Sequence, residues 1–133
     1  MKNDNKFLTE FYKALMDIHN EHVALFLAGK QIGLKNAIPK TAKAFEILGQ
    51  FFGERELGDI KILKHDFKSG KFVFKLENSV FKTGKRKPSC VVASGMLAGF
   101  FESAYKQYTG ANETKCVCKG DKYCEIEVKV LDR

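Results

Sequence analysis

Hydrophobic positions recur at helical spacing through the first third of the chain and then switch to alternation. Phe7, Phe11, Leu15 and Ile18 fall three or four residues apart, and Leu8, Tyr12 and Met16 widen the stripe. Leu25, Leu27 and Ile32 carry an apolar face onward, so the pattern predicts a helix from Asn5 to about Gly33. Gly29 and Gly33 weaken it, and Gly33 is the expected stop. Pro39 suits the first turn of a second helix, Pro39 to about Glu54, with Ala42, Phe45, Leu48, Phe51 and Phe52 as its buried face. From Ile60 the period becomes two. "IKILKHDF" places Ile60, Ile62 or Leu63, and Phe67 among lysines, and "GKFVFKLENSVF" sets Phe72, Phe74 and Leu76 on one face. The "KSG" between them, Lys68 to Gly70, makes the pair a hairpin.

A third helix is expected from Cys90 to about Tyr108, with Ser89 placed to cap it. "NETKCVC", "KGDK" and "YCEIEVKV" then predict a closing hairpin. Helix, helix, hairpin, helix, hairpin gives the α+β class: an antiparallel four-stranded sheet of two hairpins packed with helices on one side.

Length and composition narrow the class. A chain of 133 residues, 44% hydrophobic and 29% charged, reads as a single domain over 1–133. Its longest apolar run is too short for a membrane span. The start "MKNDNKFLTEF" lacks an apolar signal core, so a cytoplasmic location is expected. There, four cysteines suit metal ligation or reduced thiols better than disulfides. The net charge of +7 suits an anionic partner, and equally plain solubility.

Three of the four cysteines sit in the closing hairpin. With the loop centred on Gly120, Cys116 lies opposite Cys124 on one face, with Cβ atoms about 5 Å apart. That separation suits two thiolates on one zinc ion, with Zn–S bonds of about 2.3 Å. Glu113 stands just before the predicted strand, where a bend brings its carboxylate to the same place. Cys90 begins the helix that leads back into the hairpin, and a first-turn thiol has a lowered pKa that favours the thiolate. Two ligand sets follow from spacing: Cys90, Glu113, Cys116 and Cys124, or all four cysteines including Cys118. Reduced thiols packed as small hydrophobes, or a Cys116–Cys124 disulfide, are the competing readings.

"GKQIG" at Gly29–Gly33, "CVVASGMLAGFFESAY" from Cys90 and "ETKCVCKGDKYCEIEV" from Glu113 resemble the 4-vinyl reductase domain family over about Ala24 to Val130. The resemblance implies a structural zinc on Cys90, Glu113, Cys116 and Cys124, because matching residues bind zinc in the family's bacterial sensors. Cys118 is then a spare thiol. It implies a fold similar to the nitric-oxide signalling and Golgi-transport ligand-binding fold, shared with the input domain of aromatic-responsive activators and with vesicle-tethering subunits. It also implies a stand-alone sensor or carrier for a small apolar or aromatic, hydrocarbon-like molecule, working as a homodimer. The chain has no tryptophan, so an aromatic pocket built around one is not carried over.

Other features weigh less. Gly95 and Gly99, four apart in the third helix, leave room for a ligand against the sheet or allow close helix–sheet packing. The phenylalanines line a cavity or simply fill the core. His19 and His22 offer only two metal ligands, and His65 is a lone strand histidine. Lys82, Lys85, Arg86 and Lys87 form a basic loop that would serve nucleic acid, although no recognition motif accompanies it. No serine–histidine–acid set, paired carboxylates or cofactor fingerprint assigns a reaction, and four protein ligands close a zinc shell against catalysis. A ligand-free protein–protein interaction subunit is the principal alternative.

Overall fold

The computed structural model describes Phe7 and residues 21–79, 91–117 and 120–131. Among these, α1 (Glu21–Leu34), α2 (Lys43–Glu54) and α3 (Val91–Tyr105) accompany β1 (Asp59–Asp66), β2 (Lys71–Glu77), β3 (Thr109–Lys115) and β4 (Cys124–Val130). The strands form one antiparallel sheet in the order β1-β2-β4-β3. The expected α+β class and the two hairpins are therefore present, and β2–β4 pairing fuses them.

The alternating face of β2 is buried as read: Phe72, Phe74 and Leu76 meet Ile126, Val128 and Val130 of β4 beneath the helices. Phe72 stacks on Phe101 of α3 at 4.3 Å between centroids, and Phe100 meets Phe51 of α2 edge-on at 5.0 Å. The phenylalanines are thus largely core, each fully buried ring contributing roughly 1.5–3 kcal/mol. The edge strand β1 buries Ile60 alone; a bulge between Ile62 and Lys64 breaks its alternation and leaves Leu63 exposed. Phe67 lies beyond β1, in the turn. There Asp66 accepts the Ser69 and Lys68 amides, which hold its carboxyl below the usual carboxylate range. Gly70, at φ +72°, lets its carbonyl take the Val130 amide at 2.8 Å.

The helices correct the sequence reading in three places. α2 begins at Lys43, so Ala42 is its exposed N-cap; Ala44, with Leu48, Phe51 and Phe52, belongs to the buried face. α3 ends at Tyr105, where Lys106 turns left-handed and donates its amide to Glu102 O. In α1, Leu27 and Ile32 are exposed, and the buried side carries Leu25, Gly29, Lys30 and Gly33.

That last correction explains the glycines. A Cβ on Gly29 would fall inside contact distance of Val92 O, one on Gly33 of Met96 O, one on Gly95 of Phe26 O, and one on Gly99 of Lys30 O. Two glycine pairs, each spaced by four, therefore let the backbones of α1 and α3 touch. The partner of Gly95 and Gly99 is α1 rather than the sheet. Lys30 closes the same interface with an ion pair to Glu102 at 2.7 Å, its ammonium 4.1 Å from the Tyr108 ring centre. Glu102 also accepts the Thr109 amide at 3.1 Å, tying both helices to the start of β3. The lysine of "GKQIG" is thus a packing residue.

Candidate functional site

Cys116 and Cys124 are fully buried, with sulfurs 3.9 Å apart. A disulfide needs about 2.05 Å, whereas two thiolates bound tetrahedrally to one ion at about 2.3 Å each lie about 3.8 Å apart. Ligand atoms of Glu113, Cys116 and Cys124 all lie within 4.8 Å of one another. The cross-strand pairing expected from the loop centre holds: Lys115 faces Glu125, which brings Cys116 to Cys124.

Glu113 differs from expectation. It lies inside β3, paired with Ile126 on the inner face. Residues three apart in a regular strand point to opposite faces. A bulge between Glu113 and Lys115 inserts Thr114 as an extra residue and reverses the alternation, so Glu113 and Cys116 reach the same face. Thr114 fastens this irregularity by donating its hydroxyl to the Glu125 carboxylate at 2.9 Å.

The loop beyond is closed reciprocally. The Cys116 amide donates to Asp121 Oδ2 at 2.8 Å, and the Asp121 amide donates back to Cys116 O at 3.1 Å. Gly120, at φ +100°, supplies the turn. Asp121 had no signal in the sequence beyond its place in a turn. Cys90, Cys118, His19 and the basic loop Lys82–Lys87 lie outside the described residues, as does the side chain of His22. His65 is exposed, its ring 5.2 Å from Phe45.

A second feature lies where the three helices meet. Ile32 of α1, Phe51 of α2, Leu57, and Val92 and Met96 of α3 line a groove of about 260 Å³, with Arg55 among its lining residues. Helical periodicity did not reveal it, because its walls come from three elements that meet only through the glycine contact. The α2 terminus shapes one side. The amides of Glu56 and Leu57 donate to Gly53 O and Phe52 O, and Glu56 adopts φ 54°. This Schellman turn folds Leu57 back on the helix.

Known proteins share this architecture. The 4-vinyl reductase domain family matches residues 72–130, a span that includes Cys90, Glu113, Cys116 and Cys124. Two uncharacterized proteins of Methanocaldococcus jannaschii are similar: one is 30% identical over 121 residues, 90% of this chain, and the other 28% over 118 residues, 86% of it. The chain spans 62% of the first protein's length and 68% of the second's. Among solved structures, a vinyl-4-reductase family protein from the same organism superposes with TM-score 0.66 at 24% identity, over 99% of this chain and 82% of that one. The phenol-responsive sensory domain of the transcription activator PoxR, solved with phenol, gives 0.72 at 18%, over 92% and 72%. A trafficking protein particle complex subunit 3 from Naegleria fowleri, covalently bound to palmitic acid, gives 0.65 at 13%, over 99% and 98%. At these identities the structural likenesses establish a common fold. No helix among the described residues is long and apolar enough to cross a membrane.

Proposed function

From the premise that residues 72–130 match the 4-vinyl reductase domain, we propose that this chain is a binding domain for a small apolar or aromatic molecule, a sensor or carrier braced by a structural zinc ion. The observation that carries the ligand reading is the groove among the three helices, whose walls are aliphatic and aromatic apart from Arg55. The phenol-bound PoxR domain, of the same fold, supports the ligand class.

Cys116, Cys124 and Glu113 fit zinc in donor chemistry and spacing. Cys90, one residue before α3 begins at Val91, would be the fourth ligand. When bound, the ion supplies a closed shell that joins the start of α3 to the β3–β4 hairpin. Val92, two residues after Cys90, lines the groove, so fixing that helix start also fixes one groove wall. The Asp121 carboxylate holds the Cys116 amide and keeps the hairpin loop shaped for the ligands.

The test is a chemical-shift titration of the labelled protein with p-cresol and ethylbenzene. Saturable shifts clustered at Ile32, Phe51, Leu57 and Met96 are expected, with a rise in melting temperature. No shift at millimolar ligand would favour the interaction-subunit reading. One observation supports association as well: Val23 and Leu27, one turn apart on α1, are 51% and 52% exposed. A homodimer through that face would scatter light as twice 15.0 kDa, and Leu27→Glu would return it to the monomer mass.

A further inference from the structure

The groove has one charged side chain at its edge, and that side chain is unpaired. Arg55 follows the last residue of α2, and its guanidinium carbon stands 3.7 Å from the centre of the Phe51 ring. Its one hydrogen bond is a long donation to Phe51 O, 3.4 Å. None of the described carboxylates lies within ion-pair distance of it: the neighbouring Glu54 accepts a hydrogen bond from Gln50 at 2.7 Å, and Glu56 is turned into the left-handed conformation of the Schellman turn. A guanidinium has five N–H donors in a planar fork, so most of its hydrogen-bonding capacity remains for another group.

We propose that the groove selects molecules that join a small apolar body to a carboxylate, and that Arg55 reads the carboxylate. Ile32, Leu57, Val92 and Met96 would take the apolar part while the fork binds the acid in two parallel hydrogen bonds. The size of the groove, about 260 Å³, suits a body of about one ring. One cation without a second basic lining residue matches a planar monoanion better than a phosphate dianion. Phe51 shields one face of the guanidinium, leaving its donor edges for the ligand. The inference rests on the groove being the ligand site and adds the ligand's polar end.

The test uses matched probes, 4-ethylbenzoate and 4-ethylbenzyl alcohol, titrated into the full chain and two variants near neutral pH. The unaltered protein should bind the acid about tenfold tighter than the alcohol, the factor of one charge-assisted hydrogen bond. Arg55→Gln should bring the two within about twofold by weakening the acid alone, because the apolar contacts stay. Ile32→Asp, at a side chain 46% exposed and so tolerated by the fold, should weaken both. Equal binding of acid and alcohol, or a preference that survives Arg55→Gln, would overturn the assignment of Arg55 while leaving an apolar groove in place. Binding of both probes undisturbed by Ile32→Asp would overturn the groove assignment itself. Failure of both probes to bind at millimolar concentration would remove the ligand reading along with it.

Discussion

Gly95→Ala will destabilise the domain by about 2–3 kcal/mol, although the same change in an open helix stabilises by up to about 1 kcal/mol. The sign follows from what surrounds the added methyl. On Gly95 it meets the carbonyl of Phe26 and the amide of Lys30, which are backbone atoms of α1 and have no rotamer to change. Either α1 moves away, opening the interface that seats Lys30 on Glu102, or both helices strain. Gly49, in α2, is the internal control, since nothing lies within 4 Å of its Cβ position. Gly49→Ala should gain about 0.5–1 kcal/mol from helix propensity alone. Urea unfolding of both variants measures the contrast, and a melting temperature about 8–12 °C lower for Gly95→Ala accompanies it. If Gly95→Ala matches Gly49→Ala, the backbone contact between α1 and α3 is not what holds them.

The second large effect concerns the thiol pair. Protein purified without chelator should carry about one zinc per chain by elemental mass spectrometry. Cys116→Ser should lose it and melt more than about 10 °C lower, because binding energy at a structural site is folding energy. Serine nearly preserves the volume, so packing accounts for little of that loss. Chelation of the unaltered protein should reproduce the drop, while Cys118→Ser should leave metal and melting unchanged. Equal metal content and melting in Cys116→Ser would exclude the site.

These two predictions draw on very different degrees of legibility. The hairpin pairing of Cys116 with Cys124 could be read from parity and from one turn glycine, because a strand's period is fixed and the loop was short. Glu113 was placed nearby for an incomplete reason. Its approach depends on the extra residue Thr114, and a threonine in a strand carries no mark that it is a bulge. The face of α1 was misread because hydrophobic periodicity weighs side chains, whereas the contact there is backbone against backbone. Leu27 and Ile32 looked like the anchor, and Gly29 and Gly33 looked like weaknesses; the structure reverses both roles. The same blindness hid the groove. Phe51 and Met96 were legible as apolar residues, but their meeting point with Ile32 follows from how closely α1 approaches α3. Arg55 was silent as well, since an arginine after a helix end is ordinary until its surroundings prove to be apolar.

The strand order has a consequence for how the protein is made. β4 is latest in sequence among the strands, yet it sits inside the sheet, with β2 on one side and β3 on the other. Lys71 pairs with Lys129, a separation of 129 − 71 = 58 residues. While a ribosome is still synthesising α3, the β1–β2 hairpin stands with the inner edge of β2 unpaired and Phe72, Phe74 and Leu76 uncovered. Such an edge is a template for pairing with another chain, and distant pairings form slowly. The seven residues Cys124–Val130 therefore close the sheet like a keystone, and the nascent chain is most vulnerable to aggregation in the interval before they emerge.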